Sequence, residues 1–457
     1  MSIERVNAGD ISVNISVYRD GNQLKASDGG YNLVGFLVGW EVYESIESAT
    51  LEATFVFEDS AGLSNVFTGS EEIEFKVNGS VVSRTYRLRS YNINSRQRIN
   101  QTTDVFIVNC CSDEYVMNEV INVFGKSDKV FDEIEASSIV KTLVKGKDYL
   151  NSAKKLFVEE SLNKHEFIAT NWRPLDTIYW VTNKSVRKKQ TGGKPQNAFT
   201  FYENALGYHF KSLDKMIDDI NKMAPTKGTD PQRGSTRLYE YLFGPKKTDD
   251  GSNDQFKIDS IAFPEERNFL MGLRHGTWTG FSMGFDPVNM ANSQMGGESV
   301  DLKVDKEVYK ITEIWESMSH LGGKKAVNPV SRISGDYKSL VDSPKRMRYA
   351  FLPAQNFDQK NKQEPAKNYA DTVYLQSYQW LRMESLKNTK LQIVVPGNLD
   401  LYAGSGVSVT MPTTEKSGDK IKTDKRFSGR YMIASLAHKG TPDSMSTEML
   451  LMKDAVL

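Results

Sequence analysis

The feature that most constrains this chain is an internal repeat: a run of β-type segments near the N-terminus returns, in the same order, at the C-terminus. Near the start, Glu44-Ser45-Ile46 leads to Leu51, Gly69, the alternating Ile73, Phe75 and Val77, then Tyr86-Arg87-Leu88-Arg89-Ser90 and Thr103-Asp104-Val105-Phe106-Ile107. Near the end stand Glu384-Ser385-Leu386, Leu391, Gly404, the alternating Val407, Val409 and Met411, then Tyr431-Met432-Ile433-Ala434-Ser435 and Thr447-Glu448-Met449-Leu450-Leu451. The series differ mainly by one contraction of about six residues and by charged inserts, as expected of a duplicated module whose loops tolerate change better than its strands. Duplication inside one chain implies pseudo-symmetry.

Composition sets the class. At 457 residues the chain has room for two to four domains, with ample apolar and aromatic content for real cores. Basic and acidic side chains balance at 58 each, so there is no global field to draw in nucleic acid or an anionic membrane. Residues 1–10 carry charges and no apolar run, and nowhere do about twenty apolar residues follow one another, so neither a secretory signal nor an integral membrane segment is expected. Cys110 and Cys111, adjacent on a strand-like run, point to opposite faces and are expected as reduced packing residues of a cytosolic fold.

Period-two patterning dominates the first quarter. Ile11, Val13, Ile15 and Val17 alternate with polar residues up to a hairpin turn at Asp20-Gly21, and Leu51, Ala53, Phe55 and Phe57 repeat the alternation. The period then becomes helical. Ser112 is placed to cap a helix whose Tyr115, Val116, Glu119, Val120 and Val123 share a face and which Gly125 ends. A second helix is expected over 132–145, and a third starts at Pro174. Strands at 198–202 and 208–211 follow. A strand, a helix begun by Pro264 and an alternating strand through Thr279, Phe281, Met283 and Phe285 are expected over 256–286, and a last helix runs through Tyr378, Trp380, Leu381 and Leu386. Polar stretches at 224–237, 244–255, 287–298 and 353–370 read as long interface-forming loops.

No residue stands out as catalytic, cofactor-binding or metal-ligating. His165, His209, His275, His320 and His438 show no metal-ligand spacing. Gly192-Gly193-Lys194-Pro195 and Gly322-Gly323-Lys324-Lys325 lack the spacing and the Ser/Thr of a phosphate loop. Asp249, Asp250, Asn253 and Asp254 lack the spaced oxygens of a calcium loop. Glu71-Glu72 and Asp218-Asp219 are sequence neighbours that fan apart rather than flank one bond, and Arg187-Lys188-Lys189 reads as a helix end.

The middle carries an aromatic pattern: Asn171-Trp172-Arg173-Pro174-Leu175-Asp176-Thr177-Ile178-Tyr179-Trp180, then Phe201-Tyr202-Glu203-Asn204 and Phe210-Lys211-Ser212. A helix packed on a hairpin accounts for it physically. With Val395-Pro396-Gly397, Ala403-Gly404 and Gly429-Arg430-Tyr431-Met432-Ile433 in the C-terminal module, it also resembles the central baseplate hub proteins of contractile-tailed bacteriophages and the related type VI secretion spike proteins. The resemblance implies a mainly β chain with an α+β connecting region: two tail-tube-like β barrels plus an α/β middle domain. The expected division is 1–112 for the first barrel, 113–254 for the connecting domain, 255–290 with 371–457 for the second barrel, and 291–370 for an insertion.

It further implies a homotrimer in a virion tail baseplate, assembled in the host cytoplasm. Such a pseudo-six-fold ring adapts a hexameric tail tube, or its initiator, to a central spike, with baseplate wedge proteins outside. Type VI spike proteins often continue into an OB-fold and a needle, whereas this sequence stops after the second barrel, so the spike is expected to be a separate chain. No enzyme activity, cofactor, stable nucleic-acid binding or integral membrane segment is expected. The alternatives are a cell-wall-degrading tail enzyme, which needs two carboxylates across a cleft, and a carbohydrate-binding module using exposed Trp and Tyr, against which Trp172, Trp180 and Trp380 are expected on helices with apolar neighbours, as core residues.

Overall fold

The computed structural model describes residues 9–24, 33–65, 67–79, 82–125, 133–189, 194–226, 237–244, 251–264, 269–285, 308–341, 347–351, 365–417 and 420–456. The first β unit comprises β1 (Ser12–Arg19), β2 (Leu37–Ser45), β3 (Glu52–Asp59), β4 (Glu72–Asn78), β5 (Ser83–Arg98) and β6 (Asp104–Ser112). Asp20 and Gly21 turn the chain after β1 with φ of 50° and 77°, the left-handed pair such a tight hairpin requires. Antiparallel pairing runs β1-β4-β5-β6-β3-β2. The Leu33 amide, just before β2, donates to the Ile15 carbonyl at 3.1 Å and closes the circuit into a barrel. Alternation sends Ile15, Val17, Phe55, Phe57, Ile73, Phe75 and Phe106 inward to a core almost without solvent contact.

The connecting region carries α1 (Asp113–Val120), α2 (Ala136–Lys145), α3 (Pro174–Asn183), the hairpin β7 (Phe199–Asn204) and β8 (Gly207–Ser212), and α4 (Leu213–Lys222). Ile139, Val140, Leu143 and Val144 of α2 pack with Leu175, Ile178 and Val181 of α3 onto Phe199, Phe201, Tyr208 and Phe210. α1 differs from its sequence expectation. It stops at Val120, Val123–Gly125 forms a strand paired with Ala169–Trp172, and the helix buries Glu114 and Asn118 while Val120 is 76% exposed. Ser112 stands at its N-cap, yet its hydroxyl accepts the Leu51 amide (3.2 Å) instead of a helix amide. α4 is a further helix, capped by the Ser212 hydroxyl, which accepts the Lys215 amide at 3.1 Å.

The second β unit uses β9 (Arg237–Leu242), β10 (Ser260–Ala262), then, beyond the long helix α5 (Pro365–Leu386), β11 (Thr389–Pro396), β12 (Gly406–Thr410), β13 (Gly429–Gly440) and β14 (Met445–Lys453). Pairing runs β9-β12-β13-β14-β11-β10. The Ile258 amide, just before β10, donates to Leu242 at 3.1 Å and closes this circuit too. Each strand therefore occupies the place of its counterpart: β9 that of β1, β10 of β2, and so on to β14 and β6. One pairing is reversed, since β9 lies parallel to β12 whereas β1 is antiparallel to β4.

Two segments fall elsewhere than the sequence reading expects. Arg237–Leu242, within 113–254, hydrogen-bonds into the second barrel, because Tyr239 and Tyr241 join its core. Thr279–Phe285, within 255–290, pairs instead with Val308–Lys310 and Met347–Phe351 in a small separate sheet. Beside that sheet Trp278, Ile311 and Ile314 pack on Tyr378 and Leu381 of α5. Of the loop stretches expected at 224–237, 244–255, 287–298 and 353–370, residues 227–236, 245–250, 287–298 and 353–364 lie outside the described residues, as do Gly192, Gly193, Asp249 and Asp250.

The repeat also has a register that the sequence misaligns. Glu52 faces Cys111 as Gln392 faces Leu450, and Leu88 faces Ser112 as Ile433 faces Leu451. With the sequence matches of Leu51 to Leu391 and Tyr86 to Tyr431 kept, Val108, not Thr103, is the counterpart of Thr447.

Candidate functional site

The part of the molecule where most is organised is the seam between the barrels. Ser45 to Trp40 of β2 pair antiparallel with Ser435 to Gly440 of β13, so both barrels share one continuous sheet. Trp40 reinforces the seam by donating its indole N–H to the Thr441 carbonyl at 3.0 Å.

Glu44 is the pivot. Its side chain is fully buried, Oε1 accepts the Ala205 amide (2.8 Å) from the β7–β8 turn, and Oε2 accepts the Ala403 amide (3.0 Å) from the corner before β12. One carboxylate thereby pins both barrels and the connecting hairpin. Burial outweighs these amides and raises the carboxyl to about 7. Gly404 makes the corner possible: its φ is +81°, and a Cβ there would collide with the Tyr202 hydroxyl.

The Phe201-Tyr202-Glu203-Asn204 motif is a set of fasteners. Glu203 accepts the Leu51 amide of the first barrel (3.3 Å), and Lys154 bridges it to Glu114 at 2.6 Å on each side. Burial raises Glu203, which also lies beside Glu114. At the less buried Glu114 burial pushes upward too, but Lys154 wins and holds it low. Asn204 donates to the Ala403 carbonyl (2.9 Å) and accepts the Leu206 amide (2.9 Å). Its Oδ1 also faces His209 Nε2 at 2.9 Å, so that nitrogen carries the proton.

A second network locks α4, α5 and the C-terminal strand together. Arg382, with no solvent exposure, lies 3.1 Å from Asp454 and 3.6 Å from Asp214. Asp214 also accepts from the Tyr378 hydroxyl (2.8 Å) and the Ser319 amide (2.9 Å). Asp454 takes His320 Nδ1 (2.8 Å) and the Leu321 amide (3.1 Å). Burial pushes Asp454 up, and His320 and Arg382 more than reverse it. Arg187 sits likewise between Glu159 (2.6 Å) and Gln196 (2.7 Å), where the sequence suggests a helix end.

The other singled-out residues do not converge. His165, His209 and His438 are each buried apart, and burial lowers them to about 4, 3 and 4. Glu71 is buried beside Thr68 and Arg19, which overcome its burial and hold it at about 2, while Glu72 pairs along β4. Cys110 lines the first core, Cys111 faces away from it, and burial raises both thiols. Trp172 and Trp180 pack against each other and Phe167. A cavity of about 280 Å³ between α3, β7 and α5 contains one carboxylate, Glu47, and one of about 320 Å³ beside His209 contains only Asp219. Among the described residues no group of three His, Cys, Asp or Glu could hold a metal ion, and no helix is long and apolar enough to cross a membrane. Arg187 and Arg382 escape sequence reasoning, because a buried arginine looks like a surface one until its partners are placed.

No protein-family model matches the chain, and no curated protein matches it in sequence. Solved structures match in shape. The tail protein from Neisseria meningitidis MC58 superposes with a TM-score of 0.51 at 10% identity, covering 97% of each chain. The 43 kDa tail protein of prophage MuSo2 from Shewanella oneidensis gives 0.49 at 9% identity, over 97% of this chain and 99% of that one. A type VI secretion component of E. coli, described as structurally similar to bacteriophage T4 tail proteins, gives 0.41 at 10% identity, over 96% and 76%. The chain is thus mainly β and has, along nearly its whole length, the fold of the Neisseria tail protein.

Proposed function

We propose that this chain is a structural hub of a contractile tail baseplate: three copies form a ring of six barrels that joins a six-fold tail tube to a three-fold central spike. The observation that carries the reading is the duplication itself, two barrels of one strand order fused side by side through β2 and β13. A chain that repeats a barrel and welds the copies into one sheet holds a third of a six-membered ring. Fold likeness to a tail protein supports the same reading. The domains we assign are 1–112 for one barrel, 237–262 with 389–457 for the other, and connecting and inserted regions outside the ring.

The buried carboxylates Glu44, Glu71, Glu114, Glu203, Asp214 and Asp454 hold backbone amides or cations rather than facing a cleft, which favours a scaffold without a catalytic pair. Spike, tube and wedge proteins are the proposed partners, and the virion tail, assembled in the host cytoplasm, is the proposed location. Light scattering tests this. The expected mass is three times the 51.5 kDa of one chain; a monomer at every concentration, or a closed dimer, would refute it.

A further inference from the structure

The seam inside the chain has a counterpart that no other strand fills among the described residues. β13 pairs with β12 only over Gly429–Met432; beyond that point its outer edge, from Ser435 to Gly440, is taken by β2. β5 is built the same way. It pairs with β4 over Ser83–Arg89, and beyond that point residues 91–98 are held on one side by β6 and, among the described residues, by no strand on the other. Tyr91, Asn92 and Asn94 are exposed there. Such an edge of unpaired amides and carbonyls is a template for another strand.

β10, the counterpart of β2, has the complementary vacancy. It pairs with β11 through Ser260, Ile261 and Ala262 and, among the described residues, with no strand on its other side. Asp259, Ser260, Ala262 and Phe263 are exposed, Phe263 to 46%.

We infer that the free edge of β5 takes β10 of a second copy of this chain, repeating between molecules the contact that β13 makes with β2 within one. The inference rests on the hub reading above and names the surfaces that close its ring. Among the described residues every copy carries one unpaired edge of each kind, so the contact is head-to-tail, and contacts of that type close into rings when the rotation fits. Zero formal net charge sets up no general repulsion between copies.

Matching Leu51 with Leu391 and Tyr86 with Tyr431, as the sequence repeat does, sets the register. Cys110 holds the place of Met449, so Asn92, Ile93 and Asn94 stand where Ala437, His438 and Lys439 do. Val42 faces Ala53 as Ile261 faces Ile393, so Ala262, Ile261 and Ser260 replace Tyr43, Val42 and Glu41. Inside the chain Ala437 faces Tyr43, His438 faces Val42 and Lys439 faces Glu41. Between copies Asn92 therefore faces Ala262, Ile93 faces Ile261, and Asn94 faces Ser260.

Single-cysteine additions test this. Full-length chains carrying Asn92→Cys and Ala262→Cys are mixed and oxidised mildly; the adjacent pair Ile93→Cys with Ile261→Cys samples the other class of cross-strand pair, one class having the closer Cβ atoms a disulfide needs. A randomly mixed trimer brings the two cysteines together at one interface at most, so up to half of the mixed protein should run as a covalent dimer on non-reducing gels, with no product from either chain alone. The double variant Asn92→Cys/Ala262→Cys should give a covalent trimer, and wild type, whose cysteines are buried, should give none. Light scattering accompanies each sample. A trimer that cross-links through neither pair overturns the edge assignment and leaves the hub reading standing. A monomer that does not cross-link overturns both.

Discussion

The two barrels share one strand order but are held in different ways. The first is continuous in sequence and filled by an aromatic interior, with Phe75 5.0 Å from both Trp40 and Phe55 and Phe57 stacked on Phe106. The second is interrupted by more than a hundred residues and braced from outside: α4 and α5 lie against it, and the buried Arg382, Asp214 and Asp454 tie them to its last strand. The lesson is that closure of the sheet and an apolar core are common to both, while only the second is tied from outside by helices that a desolvated ionic clamp fastens to its last strand.

Arg382→Met should break that comparison most sharply. It leaves Asp214 and Asp454 buried without their cation, and removing one partner of such a group costs about 3–5 kcal/mol. Hydrogen exchange should speed across 389–453 and stay slow across 52–112; equal loss in both barrels would show that they unfold as one unit. Phe75→Ala is the mirror experiment, with a cavity cost of about 3 kcal/mol or more, a change in Trp40 fluorescence and the first barrel loosening first.

The seam comes next. Glu44→Ala leaves the Ala205 and Ala403 amides without their acceptor, a loss of about 2 kcal/mol. Exchange at those two amides should rise while both barrel cores keep their protection. The same residue sets a pH dependence. Its carboxyl stands at about 7 in the folded chain against an ordinary 4.5, so folding favours the protonated form. Its contribution is fully present below pH 4.5 and is lost as pH rises through 7. Denaturant midpoints should fall over that window in wild type by more than in Glu44→Gln, which cannot titrate; identical slopes would assign the dependence to other groups.

Much of this architecture is legible in the sequence because alternation reports which face of a strand is buried. Ile73, Phe75 and Val77 read correctly for that reason, as does the order of the repeat from Leu51 onward, whereas Glu44-Ser45-Ile46 ends β2 and its sequence match Glu384-Ser385-Leu386 ends α5, so those two are not counterparts. Register is less legible. Val105-Phe106-Ile107-Val108 is an unbroken apolar run, so nothing in it says that Phe106 and Val108, rather than Val105 and Ile107, fill the barrel. α1 misleads for the opposite reason: its buried positions are polar, since Glu114 meets Lys154 and Asn118 accepts the Leu175 amide at 2.7 Å, partners brought in from the following 60 residues. The seam residues are harder still. Glu44 and Ala403, or Asp214 and Arg382, meet only after the barrels form, and no local pattern marks them. α4 is the exception that a closer reading finds, with Ser212 before Leu213, Met216, Ile217 and Ile220 at helical spacing.

That helix offers the finest test of the external brace. It is fastened at both ends: Ser212 Oγ accepts the Lys215 amide at its start, and Arg430 of β13 donates to the Ile220 and Asn221 carbonyls (2.9 and 2.8 Å) at its finish. Ser212 also donates to Glu159, so Ser212→Ala removes a cap and one partner of a buried carboxylate, about 1 kcal/mol or slightly more. If the second barrel depends on its brace, that small loss should appear as faster exchange in β12 and β13, where Gly406 is packed against Ile220, and nowhere in β3 or β6. Exchange confined to α4 itself would mean that the helix covers the barrel without supporting it.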